Sequence, residues 1–226
     1  MSRFYAAASL KALTRPEDTR PFLADPKRHW KKGYSAFELA TSWIGAADIP
    51  APVRDVLGTC PVFAQAKLIT GFFERQTNLG TPGRPSQTDL LTHVWLPSGV
   101  GVIGVEGKCE ESFGPIVREW NTSPGRQARL AHLCAMLGLS IEVASSLRYQ
   151  LIHRTAAALI EARAVKASSA LMLVHSFSPR QTWFNDFADF SDAMSTPIGA
   201  KNRISAERTL SGVDIRLGWV SDKPCD

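Results

Sequence analysis

The chain has 226 residues, 44% hydrophobic and 21% charged, with 16 glycines and 14 prolines, a composition that excludes collagen-like, coiled-coil and wholly disordered classes. No apolar run approaches the roughly 20 residues that span a bilayer, and Lys11 and Arg15 interrupt the opening stretch before a leader's apolar region is complete, so a cytoplasmic protein without membrane contact is expected. The net charge of +5 sits in the first 35 residues, where eight Lys and Arg stand against three acids, and the rest of the chain is neutral.

Residues 1–34 read as a basic, irregular arm ahead of a single domain over 35–226. Lys31 and Lys32, interleaved with Trp30 and Tyr34, have the composition of a nucleic-acid strip, and equally that of a solvated tail. Ser35 is placed to cap a helix running to about Ala47, with Glu38 completing a capping box. Residues 61–75, opening at Pro61, read as a second helix, and 80–85 as a loop. Asp89 to Leu96 and Val100 to Lys108 read as two strands of a hairpin turned at Pro97-Ser98-Gly99. Pro124 and Gly138 bracket a helix, residues 141–165 read as one long Ala-rich helix, and strands at 170–177 and 213–220 flank a helix at 183–194. This order predicts an α/β fold with a central mixed sheet flanked by helices.

The four cysteines form no CxxC pair and the five histidines no HExxH, so zinc chemistry is not expected. The informative cluster lies on the hairpin. Glu106 and Lys108 share one face of their strand, and pairing would lay Asp89 beside them. Two carboxylates and an ammonium in a small volume suit a hard divalent cation such as Mg²⁺ and the hydrolysis of a phosphodiester. An acid-x-lysine triplet is weak alone, because Asp25-Pro26-Lys27 supplies another in a turn-like stretch. A solvated strand end is the competing account of Glu106 and Lys108.

At Pro85-Ser86-Gln87-Thr88-Asp89 and Glu106-Gly107-Lys108 the chain resembles the PD-(D/E)XK nuclease superfamily, with Pro and Asp separated. The stretches VEGKCEESFGPIVREW and SFSPRQTWFNDFADF are similar to a bacterial branch of it, over roughly Ser35 to Met194. The resemblance implies a restriction-endonuclease-like core and Mg²⁺- or Mn²⁺-dependent cleavage of DNA, in prokaryotic defence or repair. It implies that Asp89, Glu106 and the Gly107 carbonyl hold metal and that Lys108 serves the attacking water. Glu38 matches an extra first-helix carboxylate, or is only a cap. Gln150, with Arg154 one turn on, resembles the glutamine motif that follows the lysine, with arginine in place of tyrosine. Arg148 and Arg154 are candidates for holding a phosphate, Gln87 for touching the metal's waters, and Glu110 and Glu111 for enlarging the acidic site; each also reads as a surface residue. Trp183, Phe184, Phe187 and Phe190 read as core. Nucleic acid and a second copy of the chain are the candidate partners. The alternatives are a catalytically silent nucleic-acid-binding or complex-forming protein of the same fold, and a metal-dependent hydrolase of small phosphoesters.

Overall fold

In the computed structural model, which describes residues 2–225, the expected hairpin is the middle of a nine-stranded mixed sheet. In chain order the elements are β1 (Phe4–Ala6), β2 (Ala12–Leu13), a 3₁₀ segment (Pro16–Phe22), α1 (Pro26–His29), α2 (Ser35–Ala46), α3 (Ala51–Leu57), β3 (Lys67–Thr77), β4 (Ser86–Leu96), β5 (Gly99–Lys108), α4 (Val117–Trp120), α5 (Pro124–Leu137), α6 (Ile141–Ala144), α7 (Tyr149–Ala164), β6 (Ser169–Ser176), α8 (Phe184–Ala193), β7 (Arg203–Ile204), β8 (Arg208–Leu210) and β9 (Val213–Ser221). The sheet runs β2-β1-β3-β4-β5-β6-β9-β7, with β8 also paired to β9. β5, β6 and β9 are parallel; β3, β4 and β5 form an antiparallel meander.

Side-chain alternation on these strands separates two cores. Leu90, Ile103, Val105, Leu171 and Leu173 face α2 and α3 with Leu39, Trp43 and Val53. Leu91, Val102, Met172, Val174 and Leu217 face α5, α7 and α8. Gly104 belongs to the second face, and a Cβ there would stand 3.4 Å from that of Ala158, so the Ala-rich side of α7 lies one methyl contact from β5. That closeness lets polar side chains from the first turns of α7 reach the end of β5.

Three expectations are corrected. Residues 67–77 are the strand β3, not part of a helix: Pro61 opens only a short turn, and KLITGFFERQT pairs along β4 from Lys67↔Trp95 to Thr77↔Ser86. Its β-branched and aromatic residues fit a pleated surface once a partner strand is beside them. The stretch 141–165 is broken at 145–148, where the hydroxyls of Ser145 and Ser146 bond back to the carbonyls of Glu142 and Val143 and Arg148 bridges to Ile116. The basic arm is not irregular. β1 adds parallel to β3, and Phe4 is buried edge-on against Trp43 and Phe73, so a few well-placed apolar residues outweigh the charge bias of the segment.

Candidate active site

β4 and β5 pair Leu90 with Val105, which brings Asp89 beside Glu106 at the open end of the hairpin. Oδ2 of Asp89 accepts the Gly107 amide at 2.9 Å, a bond that turns the carboxylate across the strand end. Glu106 and Lys108 project on the same face, both nearly buried, with Nζ of Lys108 2.9 Å from Oε1 of Glu106. α7 closes the site. Gln150 donates through Nε2 to the same Oε1 at 2.7 Å and accepts from Lys108 through its Oε1 at 3.1 Å. Its amide is thereby locked in one orientation. One turn on, Arg154 places Nε 2.5 Å from Oε2 of Glu106 and Nη2 3.7 Å from Oδ1 of Asp89, and its Nη1 donates to Ser86 Oγ at 3.1 Å.

A third carboxylate is invisible while 61–75 is read as a helix. Glu74, on β3, lies across from Asp89, accepts a hydrogen bond from Gln87, and has a left-handed backbone, φ +58°, in mid-strand. Such a conformation in a non-glycine residue costs on the order of 1–3 kcal/mol and concentrates at functional sites. The sequence does hold a signal for it: an acid directly after two phenylalanines, in a run of strand-forming residues.

Electrostatics sort the three acids. Burial raises the Asp89 carboxyl well above its ordinary range, and the neighbouring Glu106 charge adds to the effect. Burial likewise lifts Glu74 to about 7. Glu106 suffers the same desolvation, but the charges and hydrogen bonds of Arg154 and Lys108 overcome it and hold the group at about 2. The site thus contains one firmly ionised carboxylate and two that are short of positive charge. All three line a cavity of about 580 Å³, with Lys108 and Gln150 beside them and Arg28, His29 and Tyr34 of the basic arm on its wall.

The donors suit a hard divalent cation in kind, being carboxylate oxygens with a deficit of positive charge. In geometry the cation's place is taken by the guanidinium of Arg154. Both oxygens of Glu106 are engaged, and among the described residues no three His, Cys, Asp or Glu side chains are grouped closely enough to hold an ion.

Other candidates fall elsewhere. Glu38 is fully buried but outside the cavity: its oxygens accept the amides of Gly33 (2.6 Å) and Cys225 (2.7 Å). It therefore neither lines the site nor forms the expected capping box. The N-cap is Tyr34, and the reciprocal side-chain bond of such a box is missing. Arg148 is committed to Asp186 and the Gly114 carbonyl, so it is a brace and not a free phosphate ligand; Arg154 is likewise sequestered by carboxylates. Lys31 and Lys32 are exposed but do not line the cavity, where Arg28 stands in their stead. Glu110 and Glu111 do line it; the first pairs with Arg180 and the second accepts the Cys109 amide.

The chain belongs to the family described as a domain of unknown function, DUF6946, whose model matches residues 12–224. No curated protein and no solved structure matches it. Among the described residues no helix is long and apolar enough to cross a membrane.

Proposed function

We propose that the protein is a divalent-cation-dependent nuclease with a restriction-endonuclease-like core, acting on DNA in the cytoplasm. One observation carries the reading. Glu106, Lys108 and Gln150, from a strand and a helix, bond to one another at 2.7–3.1 Å, and Asp89 of the neighbouring strand, anchored on the Gly107 amide at 2.9 Å, lines the same cavity beside them. Asp89, Glu106 and the Gly107 carbonyl would hold Mg²⁺ or Mn²⁺ only where the ion displaces the Arg154 guanidinium, with Glu74 adjoining. The ion supplies positive charge for a phosphate oxygen and acidity for a water.

The chain's own groups do the rest. Lys108 spends two of its three N–H donors on Glu106 and Gln150. The third is left for a water or a phosphate oxygen. Gln150 fixes the direction of that third donor by holding both Lys108 and Glu106. Arg28, which also lines the cavity, offers charge to a polyanion entering it.

The test is cleavage of supercoiled plasmid and of labelled single-stranded DNA and RNA in Mg²⁺ or Mn²⁺. Cleavage is expected, abolished by chelator, and reduced at least about 100-fold in Lys108→Met and Asp89→Asn. Absence of cleavage on every polymer, or cleavage indifferent to Lys108→Met, overturns the reading. A second reading, nucleic-acid binding without turnover, is favoured by the Arg154 guanidinium, which already stands between Asp89 and Glu106; it expects salt-sensitive binding and no stabilisation by Mg²⁺.

A further inference from the structure

A second cavity, of about 520 Å³, opens on the neighbouring face of α7. The two sites are built from adjacent residues. Gln150 and Arg154 turn to the carboxylates, while Tyr149 and His153, one position earlier in each case, line the second cavity. Ser86 joins them, because its Oγ accepts from Arg154 and lies 2.8 Å from Nδ1 of His153.

The chemistry of this cavity is opposite to that of the first. No acidic residue lines it, and three arginines do: Arg84, Arg126 and Arg129. None of the three forms an ion pair with a described residue. Arg129 is held rigidly by neutral acceptors, the Tyr149 hydroxyl at 2.8 Å and the carbonyls of Pro82 and Arg84 at 3.3 and 2.7 Å. Gly83 makes room for it, since a Cβ there would lie 3.1 Å from Nη1 and the residue's φ is +114°. Trp120 stacks on Tyr149 with centroids 3.6 Å apart, and the Arg126 guanidinium lies over Trp120 at 5.4 Å. Nη1 of Arg126 bonds to the Trp120 carbonyl and the Thr122 hydroxyl. Its Nε and Nη2, and the whole fork of Arg84, are left without a described partner. Guanidinium groups that no carboxylate neutralises, here two held in place and one free to turn toward a ligand, are the recognition chemistry of phosphate.

We infer that this arginine-lined cavity is a second anion site, which takes a backbone phosphate of the polynucleotide whose neighbouring ester enters the acidic cavity. The inference rests on the nuclease reading, and it gives the chain what the acidic cavity lacks, a fixed positive surface beside the point of cleavage.

The test is binding, measured in chelator so that no ion contributes and nothing is cut. Fluorescent single-stranded and duplex oligonucleotides are titrated by anisotropy against the wild type, the double variant Arg84→Ala/Arg126→Ala, and Arg163→Ala at the other end of α7 as a charge control. Arg84 and Arg126 are exposed, so the double variant keeps its fold; Arg126→Lys, which retains charge but loses the fork, should fall between. The expected result is binding weakened roughly tenfold or more in the double variant only, with a salt slope shallower by about 0.7–0.9 for each phosphate that is no longer neutralised. Binding by the double variant equal to that of Arg163→Ala overturns the site and leaves any Lys108-dependent cleavage standing. Inorganic phosphate bound through Arg84 and Arg126 without oligonucleotide binding overturns it as well. Arginine-dependent oligonucleotide binding with no cleavage in any ion supports the site and removes only the hydrolytic reading.

Discussion

Nε of Arg154 lies 2.5 Å from Oε2 of Glu106, and the same guanidinium reaches 3.7 Å to Asp89, so one side chain is shared between the two carboxylates proposed to hold a cation. The group is nearly buried, and the charges around it raise its pKa despite that burial, which keeps it protonated at every accessible pH. The site therefore carries its own cation, with which any divalent ion must compete. Arg154→Ala is expected to bind Mn²⁺ at least about tenfold more tightly than the wild type by calorimetry. In chelator the same variant loses about 3 kcal/mol of stability, because removing one partner strands buried charge, and Mn²⁺ restores part of the loss. Arg154→Lys, which keeps a charge but not the fork, serves as the milder variant. Weaker Mn²⁺ binding in both would mean that Arg154 braces the ligands and does not displace the ion.

Glu74 offers a separation of stability from function. Its left-handed backbone in mid-strand, and its carboxyl raised by burial to about 7, both work against the fold. Glu74→Gly removes the side chain and adopts φ +58° without strain. The variant should melt about 2–4 °C higher, as roughly 1 kcal/mol of relief implies for a chain of this size, and should bind Mn²⁺ less tightly. A lower melting temperature would show that the hydrogen bond from Gln87 outweighs the strain.

The hairpin and its three charged residues are legible in the sequence because period-2 alternation, a Pro-Ser-Gly turn and a triplet closing the strand all lie within twenty residues. The reach of Gln150 is legible in part, through its helical spacing from Arg154. What local pattern cannot carry is pairing. β3 reads as a helix until β4 lies beside it, Phe4 reads as part of a charged tail until β3 offers an edge, and Glu74 has no visible role until both are placed. Arg154 shows the same limit at the level of chemistry. Its position is evident, but that it faces two carboxylates and not a phosphate depends on how closely α7 packs at Gly104.

Glu38 tests whether a buried acid near the site is part of it. Its two oxygens tie the Gly33 amide, ahead of α2, to the Cys225 amide near the end of the chain. Glu38→Ala should lower stability by about 1.5–3 kcal/mol, the range for hydrogen bonds to a charged group, and leave Mn²⁺ affinity within about twofold of the wild type. A tenfold loss of affinity at unchanged stability would place Glu38 in the proposed ion site after all.

Acid should weaken the fold through His175. The ring is fully buried between Trp43, whose indole N–H donates to Nδ1 at 3.2 Å, and Asp222, whose carboxylate lies 3.0 Å from Nε2. Nδ1 is an acceptor here, so the neutral ring carries its proton on Nε2 and donates to Asp222. Desolvation lowers its pKa below the ordinary 6.5, although Asp222 pulls the other way. The unfolded chain consequently takes up a proton on this residue at a higher pH than the folded one. Its contribution is complete above pH 6.5 and is lost as pH falls below it, at up to about 1.4 kcal/mol per pH unit until the lowered pKa is passed. Glu74 and Asp89, whose pKa values are raised, act with the opposite sign, so the measurement must be a difference between proteins. Urea unfolding of the wild type and His175→Gln across pH 7.5 to 5 should show the stability gap between them narrowing as pH falls. A gap independent of pH would mean that the ring does not titrate differently in the two states, and the buried neutral tautomer would have to be abandoned.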